Sequence, residues 1–166
     1  AACTARGVPV GNTPDVLSET TADLAFTLIL ATARRVVEMA QWVKADRWTK
    51  NRGLLENLGT DVHHATLGVI GMGRIGREVA RRATGFDMTI LYHDLNRDLQ
   101  AEQEFGAKYV DKEILLQQSD FVSLHLPLTT ETRQYIGHNE LKLMKPSSML
   151  INSARGQIVD QTALID

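Results

Sequence analysis

The stretch TLGVIGMGRIGREVARRA, residues 66 to 83, joins a strand pattern to a helix pattern through glycines. Residues 66 to 70 read as a short buried strand. Gly71, Gly73 and Gly76 then form G-x-G-x-x-G, and Ile75, Val79 and Ala83 follow on one helical face. Each glycine has its own task in such a turn. Gly71 permits the tight bend, Gly73 lets the backbone approach a pyrophosphate, and Gly76 lets helix and strand pack closely. The helix start adds N–H groups and a partial positive charge, both suited to phosphate.

Downstream, MTILYHD ends on Asp94, eighteen residues after Gly76. A dinucleotide fold places an acid there to bind the adenosine ribose hydroxyls. A carboxylate at that point repels a 2′-phosphate, which favours NAD. Arg97 nearby keeps NADP open as an alternative. The alternation continues, with strands expected at 66–70, 88–92, 107–110, 120–124 and 148–152. Helices are expected at 74–84, 97–105, 111–118, 139–145 and from about 160. This pattern predicts an α/β Rossmann-type fold: a doubly wound parallel sheet with helices on both faces.

Upstream, VPVG (8–11) reads as a short strand and Pro14 as part of a turn. Ser18 or Thr20 is a candidate N-cap. Apolar spacing from about 19 to 48 predicts a long helical arm, as one helix or two in series. Its first half is apolar nearly all round and is expected to be buried. Its amphipathic second half carries Trp42 and Trp48, which suit core packing or a subunit interface equally. Residues 51–64 read as a polar connector.

The chain has 166 residues, 43% hydrophobic and 23% charged, with a net charge of −2. That is ordinary globular composition, with no general attraction to nucleic acid or anionic membrane. The single cysteine, Cys3, excludes an internal disulfide framework and fits the cytoplasm. The ten apolar residues from 24 to 33 are too few to span a bilayer.

A second informative stretch is MLINSARGQIVD, residues 149 to 160, where Arg155 stands just beyond an apolar run. In the doubly wound strand order 3-2-1-4-5-6, the loops after strands one, four and five line one crevice. Adjacent strands lie about 4.8 Å apart. Phosphates at the first loop and adenosine toward Asp94 send the nicotinamide toward Pro127 and Arg155. A guanidinium there can grip a carboxylate with two parallel hydrogen bonds and polarise a neighbouring carbonyl. A 2-oxo acid offers both groups. The alternative for Arg155 is a structural arginine bonding backbone carbonyls.

GVIGMGRIG, HLPLTTET and LINSARGQIVDQTALI together resemble the D-isomer-specific 2-hydroxyacid dehydrogenase family. TARRVVEMAQWVKADRW and GTDVHHATLG look most like its glyoxylate/hydroxypyruvate and 2-ketogluconate reductase branch. The resemblance implies an NAD(P)-dependent oxidoreductase that reduces small 2-oxo acids to D-2-hydroxy acids by hydride transfer. It implies Arg155 as the catalytic, substrate-binding arginine. Arg74 and Ile75 match turn residues at the pyrophosphate and Asp94 the ribose ligand. Pro127, Thr132, Ser153 and Ala154 match the nicotinamide half, and Thr21 the carboxamide. A homodimer through the arm around 19–48 is also implied. Other members (D-lactate, phosphoglycerate or phosphite dehydrogenase) and a dinucleotide-sensing corepressor-like module are the alternatives.

The resemblance further divides the chain into residues 1–14, a remnant of the substrate domain and crossover, and 15–166, a C-terminally truncated NAD-binding domain. The family's proton donor, a histidine supported by a glutamate, falls beyond residue 166, so the segment alone is expected to be inactive. His63, His64, His93 and His138 read as turn or surface residues rather than metal ligands. His125, at the end of the fourth strand, is a packing and cofactor-lining residue by the same resemblance. No Ser/His/Asp arrangement for a hydrolase is visible.

Overall fold

A computed structural model describes residues 2–13, 16–49 and 57–166. Three helices come first: α1 (Ala2–Ala5), α2 (Ser18–Ala33) and α3 (Val36–Lys44). Strand and helix then alternate through β1 (Thr66–Ile70), α4 (Arg74–Thr84), β2 (Thr89–His93), α5 (Leu99–Phe105) and β3 (Lys108–Tyr109). The series continues with α6 (Lys112–Gln118), β4 (Phe121–Leu124), α7 (His138–Leu143), β5 (Met149–Asn152) and α8 (Gln161–Ile165). All the strands are parallel, in the order β3-β2-β1-β4-β5. The expected strands and helices from residue 66 onward are all present, with ends shifted by a residue or two.

The sheet is buried on both faces because alternate residues of each strand feed different cores. Leu67, Val69, Ile90, Tyr92 and Phe121 join α2 and α4 on one side. Ile70, Leu91, Val122 and Leu124 join α6 and the segment around Ile136 and Ile158 on the other. Each large side chain removed from water in this way contributes roughly 1.5–3 kcal/mol. At the amino end, Asp120 accepts from the Thr66 N–H at 2.8 Å and from Lys145 Nζ at 2.7 Å, pinning β1, β4 and the approach to β5. Burial acts to raise its pKa, but Lys145 and the Thr66 N–H outweigh this and hold the carboxyl below its usual range.

The arm is two helices in series, broken where Arg35 adopts a left-handed φ of 53°. Only one face of α2 is buried, through Ala22, Ala25, Phe26, Ile29 and Ala33. Leu24 and Leu28 are exposed, so the expectation of burial all round is corrected. The buried face packs on α4 and joins the core on that side of the sheet, while the other face is left open. Phe26 packs on Phe86 at 5.0 Å between centroids, and Arg82 reaches Asp23 Oδ1 at 2.7 Å. Neither Ser18 nor Thr20 caps it; Leu17 occupies the N-cap position without a side-chain bond. Residues 8–11 form no strand: they are exposed and have no sheet neighbour among the described residues. The Pro14 turn and residues 50–56 of the connector lie outside the described residues. None of the described helices is long and apolar enough to cross a membrane.

Candidate active site at the carboxyl edge of the sheet

Parallel register brings the strand ends level. Ile70 pairs with His93 and with Leu124, and Leu124 pairs with Asn152. The next residues, Asp94, Gly71, His125 and Ser153, therefore stand in a row along the carboxyl edge. At about 4.8 Å per strand, Asp94 and Ser153 lie roughly 14 Å apart.

The turn after β1 is shaped by close approach. Gly71 has φ +98°, and a Cβ there would stand 2.9 Å from the His125 carbonyl carbon and oxygen. A Cβ on Gly76 would collide with the Gly71 carbonyl oxygen. Gly73 instead caps α4 and faces open space. The first turn of α4 carries no acid, while its last turn carries Arg81 and Arg82, so its charge suits an anion at the start. Asp94 leans across this turn. Its Oδ2 accepts from the Met72 N–H at 2.7 Å and its Oδ1 from the Leu95 N–H at 2.6 Å. A carboxylate has about four acceptor positions, so two remain for ribose hydroxyls.

Beyond the turn opens a cleft of about 720 Å³. It brings together Thr21 from α2, Ile75 from α4, Pro127 from the loop after β4, and Ser153, Ala154 and Arg155 from the loop after β5. The Ser153 hydroxyl is buried here with no hydrogen-bond partner. Arg155 is exposed and spends one N–H on the Ala154 carbonyl at 2.8 Å, out of the five a guanidinium carries. Arg74 lies outside this cleft, in a shallower hollow with Ser18, Glu19, Arg77 and Glu78. Thr132 also stands apart. Its hydroxyl donates to the Pro127 carbonyl at 2.6 Å and accepts from the Thr129 N–H at 2.7 Å, so it shapes the loop that carries Pro127.

Three features of the site escaped the sequence reading. Asn152 braces the arginine loop, donating to the Arg155 carbonyl at 2.9 Å and accepting from the Ala154 N–H at 3.1 Å. Asn and Asp favour such turns, which is the signal that could have found it. Second, Leu17, Leu126 and Leu128 also line the cleft. Third, the loops after β4 and β5 are tied by backbone bonds, from Gln134 N–H to the Gln157 carbonyl at 2.8 Å and from Ile136 N–H to the Ile158 carbonyl at 3.1 Å. This tie holds Pro127 and Arg155 on one rigid rim.

His125 lines the cleft, with Nε2 2.9 Å from the hydroxyl of the fully buried Ser123. Burial pushes its imidazole down to about 4, so at neutral pH it has no proton to give as a general acid. His93, expected at the surface, is half-buried, with Nδ1 3.0 Å from the Val110 carbonyl and its ring stacked on Tyr109. No group of three or more His, Cys, Asp or Glu side chains among the described residues could hold a metal ion.

Residues 26–166 match the model of the D-isomer specific 2-hydroxyacid dehydrogenase, NAD binding domain. The chain belongs to this family. It is 53% identical to glyoxylate reductase of Thermococcus litoralis over 98% of its own length and 50% of that protein's. It is 52% identical to glyoxylate/hydroxypyruvate reductase B of Salmonella paratyphi B, over 99% of its length and 51% of that protein's. The structure of D-lactate dehydrogenase from Aquifex aeolicus, complexed with NAD and lactic acid, superposes with a TM-score of 0.86 at 36% identity, covering 98% of this chain and 48% of that one. The chain thus spans about half the length of the relatives it matches.

Proposed function

We propose that this chain is the cofactor-binding half of an NAD-dependent reductase of small 2-oxo acids, of the glyoxylate and hydroxypyruvate type. The carrying observation is that Ile75, on the glycine-rich turn, and Arg155 open onto one cleft. Residues 2–13 are exposed throughout and join neither core, which supports assigning 1–14 to an outer substrate domain and 15–166 to the cofactor domain.

The residues fit a dinucleotide. Gly71, Gly73 and Gly76 with the start of α4 would hold the pyrophosphate, beside Arg74 and Ile75, and Asp94 the adenosine ribose. Thr21, Pro127, Ser153 and Ala154 would hold the nicotinamide half, where the buried Ser153 hydroxyl has no protein partner, and the open face of Gly73 leaves room for the pyrophosphate. Thr132 would act through the loop it fastens. NADH, when bound, supplies the hydride. Arg155 grips the substrate carboxylate and polarises the adjacent carbonyl. It is not the proton donor for the product oxygen, because a guanidinium keeps its protons in proteins. His125 is neutral, so the proton is assigned to a histidine outside residues 1–166, as the resemblance implies.

The exposed Leu24, Val36 and Val37 along α2 and α3, with Trp48 just beyond, support a homodimer through the arm. We take the cytoplasm as the site of action, in keeping with the exposed free thiol of Cys3.

The test is turnover of glyoxylate, hydroxypyruvate, 2-ketogluconate and pyruvate by the full-length protein with NADH and with NADPH. Activity on at least one is expected, and activity on none removes the proposal. Arg155→Ala should lower kcat/KM on the order of 10³-fold while NADH still binds.

A further inference from the structure

Two arginines, Arg97 and Arg77, bond acids on or next to the segment after Asp94. Arg97, three residues past Asp94 and so within about 10 Å of it along the chain, grips Glu102 twice. Its Nε donates to Oε1 at 3.0 Å and its Nη2 to Oε2 at 2.7 Å. Arg77, on α4, holds both Asp98 oxygens through Nη1 at 2.8 and 2.7 Å and reaches Glu104 at 3.3 Å.

Of the Arg97–Glu102 pair, the acid is the fixed member. Its side chain is 20% exposed against 59% for Arg97. The Tyr92 hydroxyl donates to Glu102 Oε1 at 2.8 Å and accepts from the Asp98 N–H at 2.7 Å. Tyr92 is fully buried, so Glu102 is moored to the core. Arg97 and Tyr92 hold its carboxyl below the usual range, which keeps it ionised at neutral pH.

A guanidinium just past the ribose acid is the group best suited to a 2′-phosphate. We propose that Glu102 is a specificity-determining positioning residue, which latches Arg97 away from the adenosine ribose and thereby reserves the site for NAD over NADP. The proposal rests on the dinucleotide reading above. A 2′-phosphate arriving here meets the Asp94 carboxylate and finds Arg97 already bound. An acid on α5 thus decides a choice made on the loop after β2, without touching the cofactor.

Fluorescence titration of the full-length protein with NADH and NADPH tests the latch without relying on turnover. Glu102→Gln should tighten NADPH binding roughly tenfold, the worth of one added hydrogen bond to a charged group. NADH binding should stay within about twofold. Adding Arg97→Ala to Glu102→Gln should erase the gain. Glu102→Asp keeps the charge, shortens the reach and perturbs folding least, and should give a smaller shift in the same direction. If both Glu102 variants bind NADPH as the parent does, or the gain survives loss of Arg97, the latch is overturned. If the parent binds neither nucleotide, the cofactor reading itself falls.

Discussion

At His125, the cost of burying a charge becomes a pH dependence. The unfolded imidazole titrates near about 6.5, whereas burial lowers the folded one to about 4. Between these values the unfolded chain takes up a proton that the folded chain refuses, so stability falls as pH drops from about 6.5 toward 4. The loss approaches on the order of 3 kcal/mol at the bottom of the window. Urea unfolding at pH 7 and pH 5 should reveal it, and His125→Asn should flatten that part of the slope. Unchanged parental stability over the window would refute the assignment. The placement of Asp94, Gly71 and Arg155 was legible in the sequence because each follows shortly after a strand, and strand ends follow from apolar runs. The Ser123–His125 bond, the inward turn of Thr132 and the Arg97–Glu102 pair were not. They depend on which way side chains point after the loops have closed.

Among the elements, the turn from β1 into α4 separates two demands that both read as glycine. At Gly76 an added methyl would strike the Gly71 carbonyl, which is backbone and cannot swing aside. Gly76→Ala should therefore cost about 1–3 kcal/mol, seen as a lower Tm. Gly73 faces open space with an ordinary φ of −73°. Gly73→Ala should leave Tm nearly unchanged yet weaken NADH binding, because the methyl intrudes where a pyrophosphate would lie. Equal effects on both measurements would erase the distinction. Strands were easy to find here because burial on both faces makes them short continuous apolar runs. The same rule misled at residues 8–11, where valines lie exposed without a partner strand. The tie between 134–136 and 157–160 joins segments too far apart in sequence for any local pattern to announce it.

For the molecule as a whole, the uncovered apolar side of α2 and α3 is the largest departure from what the sequence promised. Val37 on α3 is 64% exposed and Trp48, just past that helix, 67%, while the other side of α2 grips α4. If a second copy covers this side, Val37→Glu should convert the full-length protein from dimer to monomer in sedimentation velocity, with its helical content intact. A parent protein that sediments as a monomer would dismiss the arm as an interface. Periodicity read the arm as helical but could not say which side a neighbour covers, since Leu24 and Leu28 look as core-like as Phe26 and Ile29.

The levelled strand ends carry a consequence for how such a chain can drift over generations. Asp94, Gly71, His125 and Ser153 share one rim only because four strands keep a register that pairs their last residues. Deleting a single residue between Phe121 and Leu124 would turn the remainder of that strand over, exchanging the faces of its side chains and pulling His125 off the rim. Letters within these strands can be exchanged, apolar for apolar, at modest cost. Their tally cannot change. Length variation should therefore gather in the stretch after His93, where Leu95 already stands 97% exposed, and be purged from the strands that keep count.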